Sequence, residues 1–438
     1  MSICIVSPRF HPVTGGVETY FKDIASYCSN YVKTIVVTSN LKSHINIFEK
    51  QRYIKKVYDL ISNNVGVIRV KTLNNYILRY LFYFIQYINK YFEVYIDQFL
   101  SLDLFEKKKK NGKNPKFINF IYKNLILQRS FANPNFIQIY YLLKKIHNNE
   151  KIKLIHSAPI NLTANIFALQ FALKNNVSYI CTPFFHINPF ADYIFYPSYQ
   201  YILKKAKAVI ACTLIEKEYY KRYKIEENKI FIIPPGIDIN KYKKPDINSF
   251  RNKFNIPEDS PLLLFIARRT IEKGFVQCIN ALAILLKTFK DIRLLVIGPI
   301  TRDYQLYFNK LPSKLKSHII DLGLVDENTK LNALANCDIL VLPSLDDAFG
   351  IVYLEAWLFK KPVIGALGGN VEGLIDNKIN GYLIHFYDIK ALASKIELLL
   401  INDQKRIELG QNGYEKILQN YKIEDTNKKI LNLYRSFI

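Results

Sequence analysis

Residues 344–375 read SLDDAFGIVYLEAWLFKKPVIGALGGNVEGLI, and this stretch decides the fold. It opens at the end of the apolar run DILVLPS, which predicts a buried strand, and enters a helix just after Gly350. The apolar run PVIGAL then predicts the next strand. A strand, a helix and a second strand in this order indicate parallel strands with a helix covering one face of the sheet. We therefore expect a doubly wound α/β domain around this segment.

The alternation of strands and helices extends in both directions from this segment. After residue 260, the runs LLLFIAR, RLLVIGP, IIDLGLV, DILVLPS, PVIGAL and GYLI predict six strands separated by helices. Before residue 240, the runs ICIVSP, TIVVTSN, KLIHSAP, SYICTPFFH and AKAVIACT predict a second set of strands. Ligands bind outside the carboxyl ends of such strands, so two facing Rossmann-like, doubly wound domains imply an interdomain cleft.

The length of the chain and one polar, Pro-containing segment predict where the domains divide. With 438 residues, two domains of about 200 residues each are expected. The polar segment KYKKPDINSFRNKFNIPEDSP predicts a linker near 240–260. We predict an N-terminal domain over 1–240, a C-terminal domain over 241–420, and a final helix over 421–438 that packs back on the first domain. Residues 41–150, with the basic run EKKKKNGKNPK, are interpreted as a helical, basic insertion.

The chain is strongly basic. Its net charge is +24, from 61 Lys and Arg against 37 Asp and Glu, which creates a field that attracts polyanions. Nucleic acid, anionic lipid and phosphorylated substrates all fit such a field, and a compositional bias toward Lys fits equally well. No recognisable nucleic-acid motif is present and the basic residues are dispersed, so we do not expect nucleic acid as a partner.

The cysteines and the apolar runs indicate a cytoplasmic protein. The six cysteines are scattered, without a CxxC or a spacing suited to zinc, and several lie in apolar runs where a thiol acts as a small hydrophobe. The N-terminus lacks the pattern of a secretory signal. The aromatic stretch 76–92 is too short and too polar to span a bilayer.

Two carboxylates accompany the predicted helix start after Gly350. Asp347 lies in the preceding loop, and Glu355 follows eight residues later, about one turn into the helix. The helix start presents free backbone N–H groups and a positive dipole end, which suit a diphosphate. The two carboxylates would bracket such a ligand, whereas either one alone is better explained as a helix cap or a surface side chain.

Cations and glycines follow two other predicted strands. Arg268 and Lys273 flank a turn after LLLFIAR, where both would reach one anionic group, although alone they are better explained as solvated charges. Gly15 and Gly16 in HPVTGGVE let a ligand approach the backbone closely. This segment lacks the GxGxxG pattern of dinucleotide folds and the Lys-Ser/Thr of a P-loop, which argues against both.

Two histidines end strands of the first domain. His186 in TPFFH lies on the side expected to face the cleft. His156 in LIHSAP has a similar position, and we interpret it as a structural residue.

Taken together and in this order, these segments resemble the retaining glycosyltransferases of family four, which have the GT-B fold. The resemblance covers residues 1–40 and 150–438 and leaves the middle of the first domain unmatched. It implies that Glu355 binds the nucleotide ribose, that Arg268 and Lys273 steady the departing diphosphate, and that His186 lies beside the reacting sugar. It further implies donor contacts from Gly15, Gly16, Gly323, Leu324, Val325, Asp347, Ala348, Phe349, Gly350 and Ile351, with 323–325 at the nucleobase.

The resemblance implies a hexosyltransferase that moves sugar from a nucleotide-diphosphate donor to a glycan or lipid-linked acceptor in cell-surface or glycoconjugate biosynthesis. The donor is a co-substrate, so no cofactor and no metal are expected. The family usually has Glu where this chain has Asp347, and one methylene less moves a carboxylate by roughly 1.5 Å. A catalytically silent, sugar-nucleotide-binding scaffold of a glycan-assembly complex therefore stays open as an alternative.

The acceptor side leaves two interpretations open. The aromatic stretch 76–92 and the lysines of 107–110 suit an element that lies on the inner face of an anionic membrane. A core helix followed by a solvated loop explains the same residues equally well.

Overall fold

The structure, a computed structural model, describes most of the chain as two parallel-stranded domains. It describes residues 2–11, 15–39, 58–62, 65–70, 138–160, 163–185, 199–242, 247–345 and 347–438. Each domain contains one twisted sheet between helices, which confirms the predicted doubly wound α/β architecture. Among the described residues, no helix combines the length and the apolar character needed to cross a bilayer.

In the described part of the chain, the N-terminal sheet has eight strands in the order β3-β4-β2-β1-β5-β6-β7-β8. The strands are β1 Ser2–Ser7, β2 Lys33–Ser39, β3 Tyr58–Ser62, β4 Val65–Val70, β5 Ile152–Ser157, β6 Ser178–Cys181, β7 Ala208–Ala211 and β8 Ile230–Ile232. Among the described strands of this sheet, only β3 runs antiparallel to its neighbour, at the sheet edge. The central strands are buried on both faces, so their sequences read as continuous apolar runs.

The prediction that residues 41–150 form a helical insertion was wrong for part of that segment. Strand β4 pairs in parallel with β2, and β3 pairs with β4. Val65, Val67 and Arg69 are buried while Gly66 and Ile68 are partly exposed, which is the two-residue period of a strand. Pairing with the exposed edge of β2 therefore decides the conformation here.

The helices of this domain cover both faces of its sheet. They are α1 Gly16–Cys28, α2 Gln138–Glu150, α3 Thr163–Lys174 and α4 Leu214–Lys221, and residues 199–205 are also helical. A short 3₁₀ turn, Glu227–Lys229, precedes β8, and a second one, Ile239–Tyr242, follows it.

The C-terminal sheet has six parallel strands in the order β11-β10-β9-β12-β13-β14. The strands are β9 Leu262–Ile266, β10 Arg293–Ile297, β11 Ile319–Gly323, β12 Ile339–Val341, β13 Val363–Ala366 and β14 Gly381–Ile384. The strand order reverses between β9 and β12. In open α/β sheets, ligands bind at the carboxyl ends of the strands beside such a reversal.

The C-terminal helices follow the same alternation. They are α5 Ile247–Lys253, α6 Phe275–Leu285, α7 Arg302–Asn309, α8 Ser313–Lys316, α9 Glu327–Asn336, α10 Ile351–Leu358, α11 Ile389–Ile401, α12 Asp403–Asn420 and α13 Ile423–Arg435. Two 3₁₀ turns, Ile271–Lys273 and Asn370–Gly373, follow β9 and β13.

The last helix returns to the N-terminal domain. Helix α13 packs against α1, and the Ser178 hydroxyl donates to the Phe437 carbonyl at 2.8 Å. The Ile237 N–H donates to the Tyr421 carbonyl at 2.8 Å, so the chain segments that pass between the domains run side by side. The domain boundaries proposed from the sequence stay a prediction.

All six cysteines are buried free thiols. Burial raises the pKa of Cys4 and Cys278, which keeps both as neutral, small apolar groups.

Candidate active site

The candidate site lies at the reversal of strand order in the C-terminal sheet. The loop after β9 carries Arg268 and Lys273, and the loop after β12 carries Asp347 and leads into α10. Gly350 precedes α10 with φ +88°, a left-handed backbone in which a side chain would be strained. This sharp entry leaves the first N–H groups of α10 at the carboxyl edge of the sheet, where an anion would be stabilised.

Lys273 and Asp347 form an ion pair across the reversal. The Lys273 Nζ lies 3.1 Å from Asp347 Oδ2 and 3.3 Å from Ser344 Oγ, and the lysine is buried. The Leu345 N–H donates to the Glu272 carbonyl at 2.8 Å, which ties the turn of Lys273 to the loop of Asp347. The lysine charge is thus held beside the start of α10 by both loops.

Neighbouring Arg268 and Arg269 have different environments. Arg269 is 0% exposed, pairs with Asp321 at 2.6 Å, and its guanidinium stacks 4.5 Å from the Tyr304 ring centroid. Arg268 is exposed at the cleft. Burial lowers the pKa of Arg9 in the other domain; the charge of Glu18 opposes this shift, and the charge of Arg268 adds to it.

The N-terminal wall of the cleft is the start of α1. A Cβ placed on Gly16 would lie 3.6 Å from Ile351 Cδ1, so the starts of α1 and α10 face each other. Arg9 pairs with Glu18 of the first turn of α1 at 3.0 Å, which balances the carboxylate there. Two helix N-termini and the cations beside them give this part of the cleft a positive potential.

Glu355 lies on α10 and is only 8% exposed. The Lys330 Nζ of α9 donates to its Oε1 at 2.8 Å and lies 3.2 Å from Glu327 Oε2. Burial lowers the pKa of Lys330, but the two carboxylates outweigh it and the pKa is raised overall. We call the pairs Lys273–Asp347 and Lys330–Glu355 the cleft ion pairs.

The remaining predicted donor contacts lie at the same edge of the sheet. Gly323 ends β11, Leu324 is 72% exposed and Val325 is partly buried. Phe349 is buried against the Tyr421 ring, with 6.0 Å between the centroids, and so faces the interior. Ala348 and Ile351 are partly buried.

His186 lies outside the described residues, and so do residue 346 and the stretches 76–92 and 107–110. The described range before His186 ends at Phe185, whose carbonyl accepts a hydrogen bond from Asn370 Nδ2 at 2.6 Å. Within the described ranges, no three His, Cys, Asp or Glu side chains cluster in a way that would hold a metal ion. The expectation that no metal is needed stays a prediction.

His156 is part of a buried, neutral hydrogen-bond chain. Its Nδ1 lies 2.6 Å from the Tyr434 hydroxyl and its Nε2 lies 2.7 Å from Thr182 Oγ1, which is 3.2 Å from the Tyr20 hydroxyl. Burial lowers the pKa of His156 to about 3. This group, the His156 chain, joins β5, α13, the residue after β6 and α1 in the domain core.

Sequence reasoning missed three contributors to the cleft, namely Arg9, Lys330 and Asn370. Arg9 and Asn370 each follow a predicted strand, which was the available signal, whereas Lys330 lies within a helix and carried none.

Comparison with known families agrees with this geometry. Residues 246–416 match the family described as glycosyl transferases group 1, and residues 105–241 match the one described as Glycosyltransferase Family 4. The two matches fall on both domains, and the chain belongs to the group 1, family four glycosyltransferases. The second match begins at residue 105, so the expectation that 41–150 would be unmatched was wrong for residues 105–150.

Individual relatives and structures show the same likeness. The capsular polysaccharide biosynthesis glycosyltransferase CapM of Staphylococcus aureus is 25% identical over 260 residues, which cover 54% of this chain and 65% of that protein. Other curated relatives are matched over 46% to 57% of their length, so the chain spans about half the length of most curated relatives it matches.

Two solved structures align over nearly the whole chain. Sucrose-phosphate synthase from Thermosynechococcus elongatus has a TM-score of 0.73 at 18% identity and covers 99% of this chain, with 98% of that chain covered. Anabaena HepE in complex with UDP has a TM-score of 0.70 at 17% identity, with 100% of both chains covered. At these identities the likeness shows the fold, which is GT-B.

Proposed function

We propose that the protein is a retaining glycosyltransferase that moves a hexose-type sugar from a nucleotide-diphosphate donor to a glycan or lipid-linked acceptor. The observation that carries the proposal is the grouping of Lys273, Asp347 and Glu355 around the start of α10 at the strand-order reversal. That grouping offers a cation and free N–H groups for a diphosphate and a carboxylate for a ribose diol. CapM, which acts in capsular polysaccharide biosynthesis, supports a role in making cell-surface glycans.

The proposed reaction is a substitution on one face of the sugar. The bond between the anomeric carbon and the β-phosphate oxygen breaks, and the acceptor hydroxyl oxygen bonds to that carbon on the same face. The acceptor proton passes to a leaving phosphate oxygen, which balances the reaction. Lys273, Arg268 and the start of α10 would stabilise the charge that develops on the diphosphate.

Asp347 has two roles in this proposal, one before and one after the donor binds. It holds Lys273 in place before the donor binds, because their side chains pair at 3.1 Å. When a diphosphate arrives, Lys273 gains a second anionic partner, and Asp347 is freed to accept hydrogen bonds from the sugar hydroxyls. The protein's own residues supply all the charge stabilisation in this scheme, and the nucleotide sugar is the co-substrate.

A panel of UDP-, GDP- and ADP-sugars tests the proposal, with thermal shift and nucleotide release measured on the wild type and on Glu355→Ala. We expect one donor to stabilise the wild type and to be slowly hydrolysed, with both effects lost in Glu355→Ala. Glu408→Ala removes an exposed carboxylate that pairs with Lys405, and serves as the matched control. Equal donor stabilisation of wild type and Glu355→Ala would refute the assignment of Glu355.

The substitution of Asp for the family's usual Glu at position 347 favours a second candidate. In that case the protein binds a sugar nucleotide and scaffolds a glycan-assembly complex without turnover. The same panel separates the two: a thermal shift with neither hydrolysis nor transfer, in wild type and in Asp347→Glu alike, identifies the scaffold. Transfer above the blank identifies the enzyme.

Location on the cytoplasmic face of a membrane is part of the proposal, and it rests on the lysines of 107–110 and the aromatic residues of 76–92. Flotation with vesicles that contain anionic lipid, at low and at high salt, is the measurement. Binding at low salt that is lost at high salt supports it, and absence of flotation at low salt removes it.

A further inference from the structure

Asn370 joins the two walls of the cleft through one side-chain amide. It opens the 3₁₀ turn after β13 and is 0% exposed. Its Nδ2 donates to the Phe185 carbonyl at 2.6 Å and to the Ala348 carbonyl at 2.9 Å. Phe185 belongs to the N-terminal domain, and Ala348 directly follows Asp347, so the amide fixes two backbone segments from opposite domains.

The Phe185 peptide is also held from its own side of the cleft. Its N–H donates to Glu216 Oε1 at 2.9 Å, and Glu216 is fully buried in the first turn of α4. The same carboxylate accepts a hydrogen bond from the Cys212 N–H. Phe184 has φ +46°, so the chain bends sharply before Phe185. The peptide is therefore clamped between Glu216 and Asn370, one residue before His186.

The turn that carries Asn370 fits closely against the N-terminal domain. A Cβ placed on Gly373, the last residue of this turn, would lie 2.7 Å from the Thr213 Cβ, so only glycine allows this approach. Thr213 caps α4, the helix that carries Glu216. The clamp and this contact together form one junction between the domains.

The chemistry of Asn370 suits positioning rather than stability. Among the described residues its Oδ1 is buried without a hydrogen-bond partner, and an unpaired buried acceptor costs free energy. The Nδ2 serves two acceptors at once, which a neutral amide can do and a carboxylate cannot.

We propose that Asn370 is a positioning residue for sugar transfer: it sets the distance between the backbone that precedes His186 and the backbone that follows Asp347. This inference rests on the proposed function. Through the Phe185 and Ala348 backbones, Asn370 would set how far apart the two walls lie at the proposed sugar site. A small error in that spacing lowers the rate of the chemical step while the nucleotide, held by the C-terminal domain, still binds.

The test compares Asn370→Ala with Asn380→Ala. Asn380 is likewise buried, but its amide donates to Asp376 Oδ2 at 2.9 Å within the C-terminal domain and does not cross the cleft. For Asn370→Ala we expect kcat to fall by about tenfold or more with the donor KM changed less than about twofold. Asn380→Ala should lower the unfolding temperature and leave the kcat of the folded protein near that of the wild type. Near-normal kcat in Asn370→Ala, or a matching loss of donor affinity, would overturn the proposal.

A measurement without substrate keeps the result separate from the proposed function. Hydrogen exchange should become faster in Asn370→Ala for peptides that cover 180–186 and 344–350, and should stay unchanged in Asn380→Ala for those peptides. Unchanged exchange in Asn370→Ala overturns the clamp even if the protein transfers sugar. Faster exchange in a protein that transfers no sugar retains the clamp as a domain contact, and overturns its role in transfer.

Discussion

The cleft ion pairs and the His156 chain are both polar groups in largely buried positions, yet they are built in opposite ways. Each cleft ion pair joins a lysine to a carboxylate at the carboxyl edge of a sheet, where a ligand can replace one partner. The His156 chain consists of neutral groups in the core of the N-terminal domain, and its ring nitrogens both have partners. A ligand can therefore exchange with one partner of a cleft ion pair, whereas both ring nitrogens of His156 are already hydrogen-bonded within the protein.

Because of this difference, we expect the cleft ion pairs to contribute to sugar transfer and the His156 chain to contribute to stability. Removing charges from water is costly, and a buried ion pair is weak evidence for stability, so the cleft ion pairs are better explained by a ligand that uses their charges. A hydrogen-bonded neutral chain avoids that cost and fixes the packing around it. Substitutions in the cleft should therefore change transfer more than stability, and substitutions in the His156 chain should do the reverse.

The largest effect is expected from Lys273→Met, which removes a cation from the proposed leaving group. We expect kcat/KM for transfer to fall by about 10²–10³-fold, because one preorganised donor to developing charge stabilises a transition state by about 3–4 kcal/mol. The unfolding temperature should fall as well, because the Asp347 carboxylate is left largely buried without its cation, so kcat/KM is measured on the folded protein. Steady-state transfer kinetics and thermal unfolding measure the two.

Lys416→Met is the matched control for this prediction. Lys416 forms another lysine–aspartate pair in the same domain, with Asp376 at 2.7 Å, away from the strand-order reversal. Its substitution should leave transfer near the wild-type rate. Equal losses in both variants would mean that the comparison fails and that lysine pairs in this domain act through stability.

The fold was predictable because its strands are buried on both faces. Runs such as LLLFI and LLVI are apolar throughout and are followed by turn residues, so the hydrophobic pattern and the turn signals both predict strands there. Strand β4 was missed because Gly66 and Arg69 interrupt its apolar pattern. Its conformation depends on pairing with β2, which is a tertiary contact.

The candidate site was predictable only at its strand ends. Lys273 and Asp347 follow β9 and β12, and topology alone brings those ends together. Lys330 is one of 61 Lys and Arg residues, and nothing in the sequence pairs it with Glu355. Such partners are set by how helices pack, and the sequence pattern of one helix does not contain that information.

The smallest effect is expected from His156→Gln, read from the pH dependence of stability. Burial lowers the pKa of His156 to about 3 in the folded protein, while an unfolded histidine titrates near 6.5. Between these values the unfolded chain binds more protons, so the stability present above pH 6.5 is lost as the pH falls. Between pH 6.5 and pH 5 this amounts to about 2 kcal/mol.

Urea unfolding at pH 7.5 and pH 5.0 measures this effect in the wild type and in His156→Gln. The variant should be less stable than the wild type at pH 7.5 by about 1 kcal/mol, the worth of an imperfectly replaced hydrogen bond, and should lose less on acidification. Exposed His385→Gln should retain the wild-type pH dependence.

Sugar transfer by folded His156→Gln at pH 7.5 should match that of the wild type, because the hydrogen-bond chain that this substitution interrupts lies in the domain core. A parallel pH dependence in wild type and His156→Gln would show that the ring binds protons in the fold as readily as in the unfolded chain, and the contrast with the cleft ion pairs would then disappear.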